Sequence, residues 1–218
     1  LPEISVEMTL PSIVSMRILL DGWSIAMALA WRFGVFPTFC HGDWAMAENS
    51  SIGWTDHTHN FWWGCHKVSQ ECTFCYISSI MRRAGREPFQ GPMRTKNWNN
   101  PHRWNRAAGR DSRRARVFTC SMSDFFHPGA DEWRDDAWQL IEECRNLDWL
   151  ILTKRAERIA ECLPSNWGEG YPNVWLGVTA GCRSSLSRVE FLRNVPAAIR
   201  FISAEPLFER LDLQPYLE

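Results

Sequence analysis

The chain has 218 residues, the length of one domain with an additional terminal segment and too short for two full domains. Its 45% hydrophobic and 22% charged residues, with 13 Gly and 12 Pro, exclude a collagen, a coiled coil and wholesale disorder. A formal charge of -1 removes any argument from net charge for nucleic acid or membrane. The balance hides an asymmetry, with 12 basic against 5 acidic residues from Met46 to Arg116 and 10 against 16 after that.

Residues 1–45 differ in texture from the rest. The apolar stretch at residues 22–31 is shorter than the roughly 20 residues a membrane span needs. A signal peptide has a basic start, whereas Glu3 and Glu7 precede Arg17 here. Residues 1–45 are therefore expected to be a poorly structured extension or an upstream translated segment, and Met46, opening "MAENSSIGWTD", reads as a natural beginning. No membrane partner is expected. The domain proper is read as residues 46–218.

Within it, short apolar runs at residues 117–121, 149–153, 174–179 and 199–204 have strand length and strand composition. Helical spacing occupies residues 132–146, 156–162 and 185–193 between them. An earlier unit is expected to hold a strand near residues 60–63, a cysteine loop, and a helix over about residues 75–86. Alternating strands and helices predict right-handed βαβ units. The fold class is α/β, a partial (β/α) barrel with about five units and a mostly parallel sheet. Ligands in such folds bind at the carboxyl ends of the strands. That singles out Ser121, Ser123, Thr153, Lys154, Arg155, Thr179 and Glu205 as cofactor-binding candidates, with Asp124, Lys154 and Glu205 as catalytic candidates.

The stretch "GCHKVSQECTFCY" sets Cys65, Cys72 and Cys75 in a C-x6-C-x2-C pattern leading into a helix. The short pair presents two sulfurs to one centre and the longer arm brings in the third. Three thiolates hold three irons of a [4Fe–4S] cube and leave the fourth open. The alternative is a structural zinc ion completed by His66, His57 or His59. The other five of the eight cysteines are scattered, which is not the pattern of a small secreted disulfide scaffold, and reduced thiols in a cytoplasmic protein are expected.

The blocks "IGWTDHTHNFWWGCHKVSQECTFCY", "VFTCSMSDFFHP", "LILTKR", "NVWLGVT" and "RFISAEPL" resemble, in that order, a phage- and prophage-associated family of uncharacterised three-cysteine proteins related to the radical S-adenosylmethionine (SAM) superfamily. The resemblance implies a [4Fe–4S] cluster on Cys65, Cys72 and Cys75, with SAM on the open iron. Reductive cleavage of SAM would then give a radical that abstracts hydrogen from a substrate. Two departures stand out. The first cysteine gap is six residues where the superfamily has three, although Phe74 keeps the aromatic before the last cysteine. The family also continues past the "EPL" block into a further strand, so an inactive, truncated copy is one of the readings the sequence allows.

Two further segments carry chemistry. From Arg82 to Arg116 lie ten Arg and one Lys against Glu87 and Asp111, with Trp98 and Trp104 interleaved. This is either a nucleic-acid contact or a solvated insertion. Asp56, His57 and His59 in "WTDHTHNFWW" are acid–base candidates or barrel-plugging core groups. The leading expectation is a cytoplasmic radical-SAM-like iron–sulfur enzyme acting on an unknown substrate, with nucleic acid or a nucleotide as one option. A zinc-stabilised nucleic-acid-binding or interaction protein without catalysis is the alternative.

Overall fold

The computed structural model describes residues 15–19, 46–48, 50 and 52–216. Its strands are β1 (Ser15–Leu19), β2 (Met46–Glu48), β3 (His57–His59), β4 (Trp62–Trp63), β5 (Met93–Arg94), β6 (Ala115–Thr119), β7 (Leu147–Thr153), β8 (Val174–Thr179) and β9 (Ile199–Ser203). Its helices are α1 (Ile77–Arg83), α2 (Asn100–Arg110), α3 (Asp131–Glu143) and α4 (Ser187–Arg193). The expectation for residues 1–45 lies outside the described residues, apart from β1.

Strands β3, β6, β7, β8 and β9 run parallel and in chain order, and β1 extends them in parallel beyond β9. Among the described residues of this sheet only β2 is antiparallel, at the far edge on β3, while β4 and β5 form a separate antiparallel pair. The two edge strands do not pair with each other, so the sheet is an open, partial (β/α) barrel of the expected class. A parallel sheet is covered on both faces, which is why β8 is buried at every one of its positions.

Trp149, Ile151, Val174, Leu176, Val178 and Ile202 belong to the main core, with Ala137, Trp138 and Ile141 of α3 and Val189 and Leu192 of α4. The opposite sheet face carries Leu150, Trp175 and Phe201, packed with Trp54. Register puts Gly177 beside Phe201, and a Cβ on Gly177 would lie 2.2 Å from the Phe201 ring. The ring fills the place a side chain would take.

Two local expectations are corrected, and one helix is added. The strand near residues 60–63 is split into β3 and β4 because the Asn60 side chain turns away to accept from Met122 N at 2.8 Å. The helix at 156–162 is instead two 3-10 turns, Ala156–Arg158 and Ala160–Cys162. Pro164 follows at once, and Trp138 Nε1 of α3 donates to the Cys162 carbonyl at 2.8 Å, which leaves too short a run to nucleate an α-helix. Helix α2 was hidden in the basic stretch, because only Pro101, Trp104 and Ala108 are buried among its eleven residues.

Candidate functional site

The cysteine loop crosses the carboxyl ends of β6, β7 and β8, held by two contacts from the segment after each. It starts at Gly64, whose φ of +98° suits glycine and whose added Cβ would lie 2.1 Å from the Gly91 carbonyl oxygen. After β6, the Met122 carbonyl accepts from Gly64 N at 3.0 Å and the Ser123 hydroxyl donates to the Gly64 carbonyl. After β7, Arg155 Nη1 lies 3.7 Å from Cys65 Sγ and Nη2 donates to the His66 carbonyl at 3.0 Å. After β8, Gly181 N and Arg188 Nη1 converge on Glu71 Oε1 at 3.4 and 3.0 Å. Glu71 sits in a 3-10 turn, Gln70–Cys72, so this last contact fixes the neighbouring Cys72 as well. Burial opposes ionisation of Glu71, yet the Ser69 and Ser185 hydroxyls and the Arg188 charge hold its carboxyl down at about 2.

Cys65 and Cys72 are buried and Cys75 is half-buried. Burial, and next the charge of Asp124, push the Cys65 thiol up to about 11 against the opposing pull of Arg155. Burial also raises Cys75, opposed by a backbone hydrogen bond and by the charges of Lys154 and Lys67. Arg155 and Lys154, just after β7, and Lys67 of the loop therefore set positive charge beside Cys65 and Cys75. Among the described residues, no three His, Cys, Asp or Glu side chains form a group gathered on a single metal ion.

The strand-end candidates fall at this mouth and divide by task. Asp124 is a hub: Oδ1 accepts from Thr153 Oγ1 at 2.7 Å and Phe126 N at 3.0 Å. Its Oδ2 accepts from Lys154 N at 2.9 Å and faces Arg155 Nη1 at 3.4 Å. Thr153 also accepts from Arg155 N at 2.9 Å. These residues position Arg155 on Cys65. Ser121 is bonded to Asn60 at 3.1 Å, and the buried Thr179 hydroxyl has no partner among the described residues. Glu205 is half-buried beside the cis Glu205–Pro206 bond.

The histidines scatter. His59 is buried among Phe61, Trp104 and Trp149 with neither ring nitrogen bonded among the described residues, and His57 stacks on Trp104 at 4.4 Å. Asp56 lies at the opposite end of the sheet, paired with Arg113 at 3.1 Å. Of the three zinc-ligand candidates only His66 stays at the mouth, where its Nδ1 meets His127 Nε2 at 3.0 Å. Gly129 N donates to His127 Nδ1 at 2.9 Å, so His127 carries its proton on Nε2 and donates to His66.

Glu71, Arg188 and Asn60 were not legible as site residues. The one available signal was that Glu71 is, with Glu87, one of only two acids between residues 57 and 110. A family model described as "Protein of unknown function (DUF5131)" matches residues 49–216. The chain belongs to this family. No curated protein and no solved structure matches the chain. The family match spans the whole cysteine loop and all five core parallel strands. No helix among the described residues is long and apolar enough to cross a membrane.

Proposed function

We propose that the mouth holds a [4Fe–4S] cluster on Cys65, Cys72 and Cys75 and that the protein is a radical-SAM-like, cytoplasmic iron–sulfur enzyme of the phage-associated type its sequence blocks resemble. The observation that carries this is the pinning of the three-cysteine loop over the carboxyl ends of three parallel strands by Arg155 and by Glu71 with Arg188. Ligand sites of parallel α/β sheets lie at that end. The donor set suits the group: soft thiolates bind iron–sulfur centres, and each takes a separate iron, a wider arrangement than four donors around one zinc ion. Arg155 and Lys154 offset the negative charge such a centre brings. The described cysteines are all free thiols, which suits a reducing compartment.

When bound, the cluster supplies an electron for reductive cleavage of SAM. The chain's own residues orient and shelter. Asp124 and Thr153 fix Arg155, and Arg155 holds Cys65 and the His66 carbonyl. Lys154 presents a cation beside Cys75 for a carboxylate, and the buried Thr179 hydroxyl has no partner among the described residues. Anaerobic reconstitution with iron and sulfide tests this. About four irons per chain are expected, with loss of the charge-transfer absorbance in each of Cys65→Ser, Cys72→Ser and Cys75→Ser. One tightly bound zinc and no iron, or unchanged iron in all three variants, would overturn it.

A further inference from the structure

We propose that the rim of this mouth, built by α1, the cysteine loop and residues 84–96, binds single-stranded nucleic acid. The fold divides the basic stretch in two. Strands of five to seven residues at about 3.3 Å per residue separate the two ends of the sheet by roughly 15–20 Å. Arg113, Arg114 and Arg116 lie at the amino ends, where two of the three are paired with carboxylates. Arg113 pairs with Asp56 at 3.1 Å, Arg114 pairs with Asp148 at 2.7 Å, and Arg116 lies over Trp175 at 5.4 Å.

The mouth end differs. Arg82 and Arg83 on α1, and Lys96, are exposed with no hydrogen-bond or carboxylate partner among the described residues. Glu87 is the one exposed acid between residues 57 and 110, since Glu71 is buried on Arg188. Cations and rings alternate along the rim: Lys67 lies over Phe89 at 4.8 Å, Arg86 over Trp63 at 5.8 Å and Arg94, which also pairs with Asp136 at 2.9 Å, over Trp98 at 4.1 Å. Beside them Phe74 is 58% and Tyr76 46% exposed, and Phe74 stacks on Phe208.

Unpaired arginines attract a phosphate chain, and exposed rings among them take unstacked bases, which a duplex does not offer. The rim borders Cys75, so a strand lying on it passes the mouth. Only the further step, that this strand is the substrate, rests on the iron–sulfur reading. Binding itself needs no iron.

The test is fluorescence anisotropy with labelled oligothymidylate and oligouridylate of about 20 nucleotides, with iron-free and iron-loaded protein, between about 50 and 200 mM salt. Two charge-reversed variants are compared, Arg82→Glu with Arg83→Glu on α1, and Arg106→Glu with Arg110→Glu on α2. The first is expected to weaken binding at least ~10-fold and to reduce the salt slope by about 1.4, while the second leaves both unchanged. A preference between the two oligomers identifies DNA or RNA. Should the first variant fail to unfold cooperatively, Arg82→Gln with Arg83→Gln replaces it, with a slope change of the same sign. No binding by the parent protein, loss confined to the α2 variant, or equal binding of polyglutamate would overturn the proposal. Iron loading without oligonucleotide binding overturns this proposal alone, and binding without iron loading overturns only the cluster.

Discussion

Replacing Asp124 by Asn keeps the volume of a buried side chain and removes its charge. The carboxylate accepts from Thr153, Phe126 N and Lys154 N and faces Arg155, all within 2.7–3.4 Å. An amide has one acceptor oxygen. Whichever way it turns, its NH2 confronts a backbone N–H, and an orphaned buried donor costs about 1–3 kcal/mol. Arg155 also loses its counter-charge, and breaking a buried pair costs about 3–5 kcal/mol. These overlap, so about 4 kcal/mol is expected, or roughly 8–16 °C in Tm at about 2–4 °C per kcal/mol for a domain of this size. Urea unfolding followed by tryptophan fluorescence measures it, and the slope with denaturant should not change. Arg155→Met should cost a similar amount, and the double variant less than the sum by about 1–3 kcal/mol. A loss below about 1 kcal/mol for Asp124→Asn, or strict additivity, would show that Asp124 does not anchor Arg155.

Burial pushes His59 down to about 3 and His127 down to about 4, whereas both titrate near 6.5 when unfolded. The unfolded chain then binds about one more proton at pH 6.5 and nearly two more at about pH 5, so this stability is present above pH 6.5 and is lost as the pH falls. His59→Phe should leave a slope of about one proton, and an unaltered slope in pH-dependent urea titrations would refute the assignment. Gly64→Ala places a Cβ 2.1 Å from the Gly91 carbonyl oxygen at a φ of +98°, so it should cost about 2–4 kcal/mol and speed thiol labelling of Cys65. Parent-like labelling kinetics would count against the close approach. Gly177→Ala should cost about 1–3 kcal/mol through the Phe201 ring, and Phe201→Leu in the same chain should restore part of it. If the second change adds to the loss, the two positions are not in competition.

The parallel sheet was legible because its strands are buried on both sides and so read as apolar runs between charged ends. Val174–Thr179 was placed to the residue. Helix α2 was not legible, since three buried positions in a run of arginines give a helical period too faint to stand out. The cysteines announced themselves through spacing. Their supports did not: Glu71 and Arg188 are 117 residues apart, and local sequence says nothing about such pairs. Asp124 was legible as a strand-end acid, but its task was not. A carboxylate that acts on a substrate and one that accepts from Thr153 and Lys154 N look alike until their neighbours are placed. Cys120, in the left-handed region at φ 59°, turns the chain from β6 toward Ser121, and no residue preference marks a cysteine for that turn.

The tethers on the cysteine loop come from chain made long after the loop itself. Residues 64–75 leave the ribosome before Arg155 and well before Arg188, so a nascent chain owns all three sulfurs while lacking two of the groups that aim them. Metal captured at that stage would be held by a floppy chelator and not by the finished mouth. If the mouth holds the proposed cluster, loading is coupled to completion of the sheet, and a chain halted between Arg155 and Arg188 should bind iron loosely and surrender it to a chelator, whereas the full-length protein should not.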